Sequence, residues 1–192
     1  FLRFTPREWG LTVLPGFFPP SPTTERIIPC YPLQNSGVTS SDGIEAEVVY
    51  VGYGENLYTK EVKDKIVLIE NHRILGYLPT SNLMKIYRLA AKKGALGVIS
   101  VFDTPGNCIP YAGGFEELPG LAVGKYDGLY LKTLATTGKV KVKMILEAKK
   151  EHAVTQNVVG FLPGETEEII IVGGHYDSTF TGAIDNASGI SG

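Results

Sequence analysis

Three side chains near one end of the 192-residue sequence combine type and spacing in a way that could do chemistry: His175, Asp177 and Asp185. His175 and Asp177 stand two apart just after Ile169-Ile170-Ile171-Val172, so on an extended backbone their side chains project the same way. Imidazole is a good zinc ligand, and a zinc-bound histidine usually donates its other ring N–H to a carboxylate that fixes the ring. Asp177 suits that orienting role beside His175. Asp185, on the glycine-flanked stretch that follows Gly182, offers a further carboxylate. A carboxylate can bridge two metal ions roughly 3.5–4 Å apart, the spacing of two-metal hydrolases. Gly173 and Gly174 remove side-chain bulk where a metal or substrate must come close. The same residues also suit a hydrogen-bonded structural histidine and a plain Asp-Asn turn. Spacing alone leaves both readings standing.

The elements that must position these groups are α/β in type. Residues 169–172 are four consecutive β-branched residues, the mark of a strand buried inside a sheet, and ligand sites in open α/β sheets gather beyond the carboxyl ends of such strands. A short strand over 157–162 and a Pro163-Gly164-Glu165 turn precede it. Upstream, apolar patterning predicts strands over 45–51, 65–69, 97–102 and 139–146. A helix lies between the second and third, with Ser81 as its cap, Leu83, Ile86, Tyr87 and Ala90 on one face, and Gly94 at a left-handed stop. Asp127 caps a short helix that carries Leu129, Leu131 and Leu134 and ends at Gly138. Residues 103–120 read as a loop. The first forty residues hold Pro15, Pro19, Pro20, Pro22, Pro29 and Pro32 together with Trp9, Phe17 and Phe18. They read as an irregular, extended arm packed along a larger body, or alternatively as a docking peptide. Three regions result: the arm over 1–40, a compact α/β unit over 41–150 with no catalytic cluster of its own, and residues 151–192.

Composition narrows the function. Eighteen Lys and Arg against twenty Asp and Glu give a formal net charge of −2, so nothing in the balance favours a phosphate backbone or nucleic acid. No stretch reaches the roughly 20 apolar residues of a membrane span. Cys30 and Cys108 are too few for a disulfide scaffold or a cysteine zinc site, and read as two unpaired buried thiols.

Several further elements occur in a recognisable order. Asn157-Val158-Val159-Gly160 with Pro163-Gly164, then Ile171-Val172-Gly173-Gly174-His175-Tyr176-Asp177-Ser178, then Gly182-Ala183-Ile184-Asp185-Asn186-Ala187-Ser188-Gly189 closely resemble the start of the catalytic domain in the M28 family of zinc aminopeptidases. Lys65-Ile66-Val67-Leu68, the run Ala91-Lys92-Lys93-Gly94-Ala95-Leu96-Gly97-Val98-Ile99 and Leu118-Pro119-Gly120-Leu121-Ala122-Val123 resemble the protease-associated (PA) domain that many M28 members carry ahead of that core. The resemblance implies a PA-type α/β domain followed by the first strands of a mixed-sheet, zinc-exopeptidase-like domain. It implies His175 as a ligand of one zinc ion, Asp185 as the carboxylate bridging two, and Asp177 as the aspartate that orients His175 and counts as catalytic. The implied activity is release of amino-terminal residues from a peptide substrate. The Glu-Glu pair and later ligands of M28 members are not among these residues, so the chain reads as the amino-terminal part of a peptidase. It is expected to be inactive by itself and to need the remaining part of the catalytic domain. A non-catalytic, transferrin-receptor-like relative is the alternative, and retention of His175, Asp177 and Asp185 argues against it.

Other candidates read more plainly. His72 has no partner at ligand spacing, and His152 sits in a charged connector. Asn186-Ala187-Ser188 matches a glycosylation triplet, but a glycan there would occupy the proposed metal site. Gly52-Tyr53-Gly54 lacks the third glycine of a dinucleotide fingerprint, and neither Ser178 nor Ser188 lies in a G-x-S-x-G elbow.

Overall fold

A strand with apolar residues on both sides needs cover on both faces, and three such runs make the centre of the sheet. They are β5 (Ile66–Asn71), β6 (Gly97–Phe102) and β7 (Gly120–Gly124), in which all but Glu70 are buried. These three run parallel to one another, and β4 (Ile44–Tyr50) lies parallel on β5. Four further strands complete the sheet: β1 (Leu2–Val13), β2 (Arg26–Ile27), β3 (Cys30–Pro32) and β8 (Lys141–His152). The order is β2-β1-β8-β4-β5-β6-β7-β3, with β1, β2, β3 and β8 paired antiparallel to their neighbours. The structure, a computed structural model, describes residues 2–16, 22–71, 80–109, 112–113, 118–177, 186 and 191. By its internal contacts the chain divides into two units, Phe1–Ala153 and Val154–Gly192.

Period-two alternation sends the side chains of the first unit into two cores. Ile66, Leu68, Ile99, Val101, Leu121 and Val123 share one with Leu131 and Leu134 of helix α2 (Lys125–Thr137) and with Leu11, Val142 and Leu146 from β1 and β8. Val67, Ile69, Val98, Phe102 and Ala122 point the other way, onto Tyr87 and Ala90 of helix α1 (Thr80–Lys92). Full burial of one such aliphatic side chain is worth about 1.5–3 kcal/mol.

The helix ends follow local chemistry, with two changes from expectation. Gly94 has φ of 80°. The Ala95 amide donates to the Ala90 carbonyl at 3.0 Å and the Gly94 amide to Ala91 at 2.9 Å, the paired bonds of a left-handed helix stop. α1 begins at Thr80, so Ser81 lies inside it rather than capping it. α2 begins at Lys125, which places Asp127 in the first turn. The cap comes from another segment: Asn107 Oδ1 accepts the Tyr126 amide at 2.8 Å and the Asp127 amide at 3.4 Å, while its Nδ2 donates to Asp127 Oδ2 at 2.7 Å. In the first turn the Asp127 carboxylate lies close to the positive end of the helix dipole, a favourable place for a negative charge.

The opening residues differ most from their irregular expectation. β1 is a 12-residue strand lying antiparallel along β8 from Leu2↔His152 to Val13↔Val142. Pro6 does not break it because the register shifts between Pro6 and Glu8, and a bulge needs no ladder donor from proline. Pro32 is tolerated because β3 is an edge strand. The pairing also carries β8 on to His152, well past the expected 139–146. Both cysteines are free, as expected, but Cys108 is exposed and Cys30 only partly buried.

In the second unit, the strands expected over 157–162 and 169–172 are not formed. Ile169, Ile170, Ile171 and Val172 are 83, 90, 88 and 93% exposed. β-branched side chains favour a strand through packing against neighbours, and none of the described residues pairs with this run.

Candidate active site

His175 and Asp177 follow the apolar run 169–172, and the structure brings their side chains together. His175 Nδ1 lies 2.9 Å from Asp177 Oδ1 and 3.2 Å from the Asp177 carbonyl oxygen. With Nδ1 as the N–H donor to this carboxylate, the ring lone pair is on Nε2, the atom that a metal would take. The side chains are 56 and 89% exposed. In so wet a setting a charged pair contributes at most about 1 kcal/mol to stability, so orientation of the ring is the larger consequence of the contact.

Two neighbours hold the backbone that carries the pair. Asn186 Nδ2 donates to the His175 carbonyl at 2.7 Å, and the Tyr176 hydroxyl donates to the Gln156 carbonyl at 2.7 Å. Neither role was legible in the sequence, where Asn186 drew notice through a turn, a glycosylation triplet and the M28-like run over 182–189. The signal was its carboxamide, a side chain suited to fastening backbone in a loop.

Asp185 lies outside the described residues, as do Gly182, Ser178, Ser188 and His72. Among the described residues no three of His, Cys, Asp and Glu gather in one place. His152 is exposed at the end of β8. The donor chemistry of the described pair, an imidazole tied through Nδ1 to a carboxylate, fits one ligand of a zinc ion and its support.

Known proteins resemble this chain in sequence and in fold. The model of peptidase family M28 matches residues 157–192, the segment that contains the pair. Over these residues the chain is similar to peptidase family M28. It is 31% identical over 163 residues to leucine aminopeptidase 2 of Arthroderma otae, an alignment covering 79% of this chain and 31% of that protein. The likeness therefore runs far upstream of the M28 segment. Among solved structures, an aminopeptidase from Aneurinibacillus sp. superposes with a TM-score of 0.59 at 24% identity, over 78% of this chain and 34% of that one. A zinc aminopeptidase from Bacillus subtilis gives 0.52 at 20% identity, over 77 and 33%. At these identities the superpositions establish the shared mixed α/β fold. The chain spans about a third of the length of the relatives it matches.

Proposed function

We propose that this chain contributes His175, Asp177 and Asp185 to the active site of a zinc aminopeptidase. His175 would hold one zinc ion, Asp185 would serve that ion and a second, and Asp177 would position the His175 ring. The observation that carries the reading is the 2.9 Å contact between His175 Nδ1 and Asp177 Oδ1, inside the segment matched by the M28 model. When bound, zinc supplies a Lewis acid that lowers the pKa of a water and polarises a carbonyl. The chain's own part is to hold that ion: Asp177 keeps the Nδ1–H tautomer, and Asn186 fastens the backbone of His175 from behind.

The substrate class is a peptide with a free amino terminus. Leucine is the first residue to try, since the Arthroderma relative is named as a leucine aminopeptidase. Residues 1–40 form an arm on the body, 41–150 a PA-type domain, and 151–192 the beginning of the catalytic domain in this reading. The exposed runs at 157–162 and 169–172 are then the surface that the rest of that domain covers. The activity belongs to the whole polypeptide, and the 192 residues alone are inactive.

The test is hydrolysis of leucine p-nitroanilide by the complete polypeptide, before and after chelation and on return of zinc. Activity is lost with the metal and restored by it, His175→Ala is inactive, and Asp177→Asn lowers kcat/KM. Hydrolysis by His175→Ala at the unaltered rate, or by the chelated protein, rejects the assignment.

A further inference from the structure

The carboxyl ends of the four parallel strands converge on a second place in the molecule, inside the first unit and independent of the zinc reading. A cavity of about 110 Å³ opens there. Asn71 ends β5, Asp103 follows β6, Lys125 follows β7 and opens α2, and Tyr53 lies in the turn after β4. Ligand sites of open α/β sheets form in this position. The volume is well below the roughly 300–1,000 Å³ of sites for drug-sized ligands, and suits the tip of one side chain or a small amine. Val101 and Leu129 supply apolar wall.

One residue of the lining carries a polar atom with an unmet need. Asn71 is 6% exposed, and its Nδ2 donates to the Val101 carbonyl at 3.3 Å. Its Oδ1 is buried and has no hydrogen-bond partner among the described residues. A buried acceptor left unpaired is costly, and a donor in the cavity removes that cost. The charges beside it differ in how firmly they are engaged. Glu70 accepts from the Tyr50 hydroxyl and from Lys132 Nζ at 3.0 and 3.1 Å, and is held from the α2 side. Asp103 pairs with Lys125 at 2.7 Å, but both side chains are about half exposed, so water readily exchanges that pair. Glu70 is thus matched by Lys132 and Asp103 by Lys125, and the second pair is the more exposed and the more readily exchanged for another ammonium.

We propose that this cavity binds a primary ammonium group on a short apolar stem, either a free amine or a lysine side chain, with an N–H donated to Asn71 Oδ1 and the charge met by Asp103. The apolar stem lies against Val101 and Leu129.

NMR titration of the ¹⁵N-labelled 192-residue chain tests this. n-Butylammonium gives saturable shifts at the Asn71 side-chain amide and at the Asn71 and Val101 backbone amides. n-Butanol, of matched stem but uncharged, binds about tenfold more weakly, the difference between a charge-assisted and a neutral hydrogen bond. Acetyl-lysine amide distinguishes the sources: shifts matching n-butylammonium assign a lysine side chain, and their absence assigns a free amine. Leu129→Trp, placed at a residue 55% exposed, fills the mouth from the wet side and abolishes binding, and Asn71→Leu abolishes it by removing the acceptor. Lack of saturation with n-butylammonium, equal affinity for n-butanol, binding unaltered in Leu129→Trp, or shifts with calcium chloride alone would each overturn the proposal.

Discussion

Replacing Gly128 by alanine sets two effects of opposite sign against each other. Gly128 lies in the first half of α2, facing β6, and a Cβ added there meets Val101 Cγ1 at 2.1 Å, Cγ2 at 2.7 Å and Cβ at 2.9 Å. Helix propensity alone favours alanine by about 1 kcal/mol. Overpacking a close-packed core costs about 1–3 kcal/mol, and this site belongs near the top of that range. Rotation about the Val101 χ1 cannot move Val101 Cβ, so the helix or the strand must retreat. The net expectation is a loss of about 1–2 kcal/mol. With a urea slope of about 2 kcal/mol/M, the unfolding midpoint falls by about 0.5–1 M at unchanged slope. The double variant Gly128→Ala/Val101→Ala loses less than the two single losses summed, because the smaller residue makes room for the new methyl. A midpoint raised by Gly128→Ala, or losses additive to within about 0.5 kcal/mol, refutes the account of how α2 seats on the sheet.

Other outcomes follow from single contacts. Tyr87→Phe strips the partner from Ser100, whose hydroxyl is fully buried, and costs about 1–3 kcal/mol; Tyr87→Phe/Ser100→Ala recovers most of it in urea titration, and additive losses contradict the pairing. The Glu151 carboxyl is lowered from 4.5 to about 2 by Lys149 and Arg3, so its contribution is present above 4.5 and lost as pH falls through about 2. Glu151→Gln therefore lowers the urea midpoint above pH 4.5 and flattens its fall across that window; an unchanged acid profile contradicts this. Burial pushes the Cys30 thiol up to about 12 while Cys108 is exposed, and only the thiolate attacks a disulfide reagent. One thiol per native chain is expected to react, and a Cys108→Ser chain that labels at the original rate contradicts the assignment.

The parts of the fold legible from sequence were those governed by local pattern. The buried runs at 66–69 and 97–102, the amphipathic face of α1 and the left-handed stop at Gly94 each carry their instruction within a few residues. β1 was hidden because its pairing depends on β8, more than a hundred residues away, and because Pro6 reads as a breaker until the bulge is seen. The cap of α2 was misplaced because it too comes from a distant residue: Asn107 reaches it from the turn after β6, on the far side of β7 in the chain. At 157–162 and 169–172 local propensity pointed to strands, and none of the described residues supplies the neighbours that propensity requires. In the candidate site the i, i+2 spacing of His175 and Asp177 was enough to anticipate their contact. Asn71 carried no comparable signal, since an unpaired oxygen exists only once the sheet has closed around it.

The central claim is that the His175 imidazole and the Asp185 carboxylate meet on a metal. Anomalous diffraction at the zinc edge, from crystals of the zinc-loaded complete polypeptide, measures this directly. The account requires a zinc peak about 2.0–2.2 Å from His175 Nε2 and from an Asp185 carboxylate oxygen, with Asp177 on Nδ1. A zinc-loaded structure in which those two side chains touch no common ion contradicts it.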